Sequence, residues 1–387
     1  MVLVDFALGN GQGIKKGEVV GIEYWLPARP LALEVYKRIL QKGGKPFFFA
    51  KDDEATKILY DLGSDEQIEF WPKEFLKGYA DVIDHRIALL ADEDPKMFSE
   101  IDPRKLILSN KFKREYRSWL DAKEDAGKLS WTLCLYGTEK MASEAGLTLE
   151  EYWNQIIKAC FLDKVDPIVK WKQVFTDMHE LLEKVNSLKI QKLHVEAEKT
   201  DLWLTMGENR KFIGGSGHNI PSFEIFTSPD WRGTEGTIFF DYPLYRYGNI
   251  LKDIQLTFKE GKVVEATASQ NQDLLREMIS SQENGDKIGE FSLTDKKFSK
   301  INHFMAETLY DENFGGEFGN THLAVGKSYH DTYDGDFKHL TDANWSSLGF
   351  NDSGEHCDIM ATTKRTVTAT LADGSEKVIY KDGEFVI

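Results

Sequence analysis

What most limits the fold of this chain is a change of texture near Asn186. Before it, apolar strand-like runs alternate with stretches whose apolar residues recur every three or four positions; after it, short strand-like segments follow one another between turn residues. Residues 19–25 read as a strand, 31–40 as a helix and 46–50, after Gly43-Gly44, as a second strand. This is βαβ punctuation. A helix is expected over 54–60, and the apolar run 87–90 follows a polar, aromatic connection containing Trp71 and Tyr79. Pro103 opens a mostly helical stretch that ends near Gly127 and carries Lys111, Lys113 and Arg114 as a solvated face. Residues 129–136 return to strand character. Helices are then expected over 147–160 and 165–185, the second burying Trp171, Val174, Met178 and Leu182 on one face.

Past Asn186 the candidate strands are 193–197, 202–204, 237–240, 254–258 and 263–266, with hairpin turns at 259–262 and at Asp373-Gly374. The expected fold is therefore α/β plus α+β: an amino-terminal α/β domain over 1–198 and a strand-rich carboxyl-terminal domain over 199–387. A chain of 387 residues is long enough for two such domains. Its 64 acidic residues exceed 48 Lys plus Arg, for a net charge of -16, which argues against a nucleic-acid partner. The opening residues lack a secretory pattern and no apolar run is long enough to span a membrane, so a cytoplasmic location without membrane association is expected. Three scattered cysteines, Cys134, Cys160 and Cys357, make neither a disulfide framework nor a thiolate metal site.

Metal chemistry, if present, therefore falls to oxygen and nitrogen donors, and six of the nine histidines lie in the later half. His356-Cys357-Asp358 is the sharpest local clue. In an extended segment its outer two residues project the same way, so an imidazole and a carboxylate can approach one cation, although a short motif of this kind also serves as ordinary polar structure. Glu312 and His322 flank a glycine-rich excursion, Asn313 to Thr321, that could turn a ligand inward or simply form a turn. Glu290 and Glu224 interrupt apolar contexts, where a carboxylate is costly unless hydrogen-bonded or metal-bound; exposed loop positions are the competing reading.

Together, the run from His218 through Glu224 to Pro229, the later Gly289-Glu290, and His356-Cys357-Asp358-Ile359-Met360 resemble the thermophilic-type metallo-aminopeptidases, aminopeptidase T/S of peptidase family M29. That resemblance implies a catalytic carboxyl-terminal domain with two divalent metal ions per subunit, zinc, cobalt or manganese. It implies an amino-terminal domain that controls access or dimerisation, and a homodimer acting on short peptides with free amino termini. On matching positions Glu224, Glu290, Glu312, His322, His356 and Asp358 become metal ligands. Glu290 and Tyr329 become catalytic, the first bridging the metals and the second steadying the tetrahedral intermediate. Glu317 rivals Glu312 for its position, because the loop before His322 is longer than the family pattern. The implied activity is hydrolysis of the first peptide bond of unblocked peptides by a metal-bridging hydroxide. A noncatalytic, metal-stabilised peptide-binding protein is the alternative, and an amidase acting on a small nonpeptide substrate is a further one.

Overall fold

A computed structural model describes residues 1–110, 113–336 and 339–387. The chain forms two compact units, one of residues 1–154, 160–172 and 216–221 and the other of residues 155–159, 173–215 and 222–387. The first unit is built on a parallel sheet. Its strands β1 (Val19–Trp25), β2 (Lys45–Lys51), β3 (His85–Leu90) and β4 (Ser130–Leu135) lie in the order β2-β1-β3-β4, extended by the short strand Asn219–Ile220. Parallel neighbours require a crossover. The first is helix α1 (Arg29–Gln41), which begins at a proline and buries Ala32, Val35 and Ile39. The apolar run of β2 is an edge strand that stays half-buried, and its Pro46 costs no ladder bond there.

The aromatic connection expected before β3 is instead largely helical. Lys73–Val82 forms a helix whose Tyr79 and Ala80 pack with Ile83, Leu120 and Leu129. Gly78 within it lowers its local helical propensity, so tertiary packing decides its form. The expected stretch from Pro103 is two helices, Pro103–Asn110 and Lys113–Asp125. The side chains of Lys111, Lys113 and Arg114, read above as a solvated face, lie outside the described residues. In the long helix Pro167–Ser187, Trp171, Val174, Met178 and Leu182 are all buried, as their spacing requires.

The second unit is strand-rich and antiparallel. Eight strands run in the order Lys262–Thr267, Ile254–Lys259, Asp230–Phe240, Thr200–Thr205, Ile190–Ala197, Arg365–Leu371, Glu376–Lys381 and Glu384–Phe385. At the hairpin between the first two, Glu260 and Gly261 both adopt positive φ, 51° and 76°, the conformation that a tight two-residue turn demands. A separate four-stranded antiparallel sheet takes the order His356–Ala361, Asn320–Gly326, Ile288–Thr294 and Glu224–Thr227. This second sheet carries the candidate site.

Candidate metal centre

Strand register collects the site. Glu290 lies opposite Ala324, and Ala324 opposite Asp358, so the two carboxylates occupy one row with a methyl group between them. The next row places Ser292 against His322, and Thr294 pairs with Glu224. His356 pairs with Gly326. Because side chains alternate along a strand, Glu224, Glu290, His322, His356 and Asp358 share one face. Two glycines let the backbones approach closely here. A Cβ on Gly289 would collide with the Lys327 carbonyl oxygen, and one on Gly326, at φ +104°, with that of Glu355.

The loop reading for Glu224 and Glu290 gives way to buried strand positions: Glu224 is 8 % exposed, Glu290 3 % and His322 1 %. His322 Nε2 stands 3.0 Å from Glu290 Oε1 and 3.1 Å from Glu224 Oε2. His356 Nε2 lies 3.3 Å from Asp358 Oδ1 and 3.6 Å from Glu290 Oε2. The other nitrogen of His356, Nδ1, must donate to the Lys327 carbonyl oxygen at 2.8 Å, since a carbonyl only accepts. That bond leaves Nε2 as the lone-pair nitrogen when a cation binds.

These groups form two triplets in which potential ligand atoms lie within 4.8 Å of one another: Glu224, Glu290 and His322, and Glu290, His356 and Asp358. Glu290 belongs to both. Glu312 belongs to neither, yet it is 8 % exposed, and the charges of Glu224, Asp358, His322 and Glu290 act on its carboxyl. Its rival Glu317 is exposed. Tyr329 is 40 % exposed, with its ring edge-on to His356 at 4.8 Å and to Phe226 at 5.8 Å.

The charge balance fits divalent cations. Glu23 illustrates ordinary pairing of a buried carboxylate, for Arg86 reaches it through two nitrogens at 2.6 and 2.8 Å and Lys51 stands at 3.3 Å. Against the cost of burial, these partners hold its carboxyl down to about 2. Among the described residues, no lysine or arginine comes within ion-pair distance of Glu224, Glu290, Glu312 or Asp358. Burial pushes Glu290 up to about 7, with Glu224 adding to the rise against the pull of His322; burial and Glu224 push Glu312 up as well. Although burial favours a neutral ring, Asp358 raises His356 to about 9, while His356 outweighs the burial of Asp358 and holds its carboxyl low. One proton on His322 Nε2 cannot serve two carboxylates fully, and among the described residues its buried Nδ1 has no hydrogen-bond partner. A cation between these donors would satisfy both carboxylates at once.

Cys357 alternates away from His356 and Asp358 and is buried, with its thiol pushed up to about 12. It belongs to neither triplet, and the donor set is wholly oxygen and nitrogen. His218, part of the motif read above, stacks on Trp131 at 4.2 Å and pairs with Glu124 at 3.0 Å within the first unit. His330 stacks on Trp345 at 3.9 Å, and burial depresses it to about 4. Neither belongs to a triplet.

An α/β unit, a strand-rich unit and a buried face of acidic and imidazole donors define a metal-dependent hydrolase. Residues 2–385 match the family described as thermophilic metalloprotease (M29), and the chain belongs to that family. It is 27 % identical to aminopeptidase AmpS of Bacillus subtilis, covering 98 % of this chain and 97 % of that protein. It is 25 % identical to aminopeptidase T of Thermus thermophilus, covering 100 % and 98 %. The solved structure of wild-type AmpT from Thermus thermophilus shares the fold, with a TM-score of 0.85 at 21 % identity over 100 % of this chain and 97 % of that one.

The residues that support the site were not apparent from the sequence. Ser228 Oγ accepts the Tyr329 backbone N–H at 2.8 Å, and Ser328 Oγ accepts the Asn351 N–H at 2.9 Å. Asn351 returns a side-chain bond to the Gly326 carbonyl, so the turn carrying Tyr329 is tied to the sheet. Their sequence signal is slight: Ser228 lies inside the run from His218 to Pro229, and Ser328 directly precedes Tyr329.

Proposed function

We propose that this metalloprotease is an aminopeptidase that removes the first residue of unblocked peptides, using two divalent cations that share Glu290. One observation carries the reading: the two oxygens of Glu290 face different imidazoles, Oε1 towards His322 and Oε2 towards His356. Glu224, Glu290 and His322 would hold one cation, and Glu290, His356 and Asp358 the other. Glu312 would complete the set from beside the triplets. When bound, two such cations supply Lewis acidity to a peptide carbonyl and lower the pKa of water from about 15.7 towards 7. Imidazole and carboxylate donors without thiolate suit zinc, cobalt or manganese. The names of the aminopeptidase relatives support action at the amino terminus.

Glu290 accepts a proton from the attacking water at its carboxylate and delivers it to the leaving amine. Tyr329, a phenol that is protonated at neutral pH, donates to the carbonyl oxygen as negative charge gathers there. The edge-on contact with His356 orients its ring. Tyr329→Phe keeps the ring and removes the donor, so turnover should fall about 100-fold with an unchanged thermal midpoint. Steady-state rates and melting curves check this, and unaltered turnover would remove Tyr329 from the reaction.

The same reading makes the chain a cytoplasmic homodimer, with residues 1–198 serving dimer contacts or access and 199–387 the chemistry. No described helix is long and apolar enough to cross a membrane. A metal-reconstituted preparation should cleave short free peptides and spare both their amino-terminally blocked counterparts and bulky folded proteins. Equal cleavage of blocked peptides would point to endopeptidase or amidase chemistry. Tight peptide binding without turnover across divalent metals would favour a noncatalytic binding protein.

A further inference from the structure

Beyond the groups that face the proposed cations, one fully buried side chain joins two of the segments that present them. Asn313 is 0 % exposed and lies between Glu312 and the chain entering the Glu224 strand. Its Oδ1 accepts the Phe223 N–H at 2.6 Å, one residue before Glu224. Its Nδ2 donates to the Leu309 carbonyl at 2.9 Å and to Glu312 Oε1 at 3.3 Å. The amide orientation follows from chemistry alone, because Oδ1 meets a donor and both Nδ2 partners are acceptors. The frame around it is equally fixed: Ser299 Oγ donates to the Asn313 carbonyl, and Asn320 Nδ2 donates to the Glu312 carbonyl at 2.6 Å.

We propose that Asn313 is a positioning residue that holds the Glu312 carboxylate and the Glu224 segment in register for divalent-cation binding. This rests on the reading of the site given above. Glu312 is the carboxylate that strand register does not place, since it follows the short helix Thr308–Asp311 and lies outside the four-stranded sheet. A flexible glutamate would have to be ordered when the cation arrives. A neutral amide donor supplies that order beforehand, and unlike a lysine or arginine it leaves the carboxylate's charge for the cation.

The test is a cobalt(II) titration of the full chain after chelator treatment and dialysis, followed by calorimetry and visible absorption. Asn313→Asp preserves shape and the acceptor for Phe223 N–H, but removes the donor to Glu312 and to the Leu309 carbonyl and adds a like charge. It should weaken cobalt binding about 10–100-fold relative to wild type. In a Glu312→Gln background the same substitution should have little further effect on cobalt binding, because it keeps the Phe223 bond that holds the Glu224 segment and acts through Glu312; a merely structural asparagine would produce additive losses. Asn313→Ala adds no charge but also removes the acceptor for Phe223 N–H, so if Asn313→Asp does not fold it is judged by the loss of cobalt affinity in the single variant alone. Wild-type affinity in the single variant, or additive losses in the double variant, would overturn the positioning role alone. Failure of the wild-type chain to bind cobalt would overturn the proposed centre and this role with it.

Discussion

Glu290→Gln should lower turnover of a free peptide by about 10²- to 10⁴-fold while at least one divalent cation remains bound. The amide preserves the volume of a side chain that is 3 % exposed and packed between two imidazoles, so the fold has no reason to change. What it loses is a negative charge and the ability to accept a proton. Each triplet retains two of its own donors, Glu224 with His322 and His356 with Asp358. Binding is therefore weakened at both positions, whereas proton transfer is removed outright. Measuring kcat alongside metal content separates these effects. A variant with full turnover and stoichiometric metal would exclude Glu290 from catalysis.

Stripping the divalent cations should abolish hydrolysis and lower the thermal midpoint, with both restored when zinc, cobalt or manganese is returned. A cation at about 100 times its Kd stabilises the native state by about 2.7 kcal/mol through mass action. The pH dependence has a definite sign. Burial raises Glu290 from 4.5 to about 7 in the metal-free chain, so the folded state holds a proton that the unfolded state releases. Stability from this group is full below 4.5 and is lost as pH rises through about 7. A bound cation takes the place of the protons on His356 and Glu290, and cation affinity should weaken as pH falls through about 9 and further below about 7. Calorimetric unfolding at several pH values, with and without cation, checks both statements. A midpoint indifferent to chelation would mean that the buried carboxylates are balanced in another way.

Several elements were legible because their cause is local. The periodicity of Trp171, Val174, Met178 and Leu182 anticipated the buried face of Pro167–Ser187, and the turn at Glu260-Gly261 anticipated its hairpin. The strands Ile288–Thr294 and Asn320–Gly326 were obscure for a physical reason. All seven residues of each are buried, so the alternation of polar and apolar residues does not mark a wet face and a dry one. Polar Glu290, Ser292 and Thr294 suggest exposure in the sequence, yet they line an enclosed site face. The helix Lys73–Val82 was missed because its packing outweighs an interior glycine.

By itself the sequence determined the donor types, the absence of a thiolate cluster, the α/β-then-strand order and the spacing that sets His356 and Asp358 on one side of a strand. Tertiary structure alone decided that Glu224, Glu290 and His322 meet that pair, that Glu290 belongs to both triplets, and that Glu312 is buried while Glu317 is exposed. Side-chain direction along one strand follows from backbone geometry over two residues. Contact between Glu224 and His322, nearly 100 positions apart, follows from antiparallel register, which is set by pairing across the whole sheet.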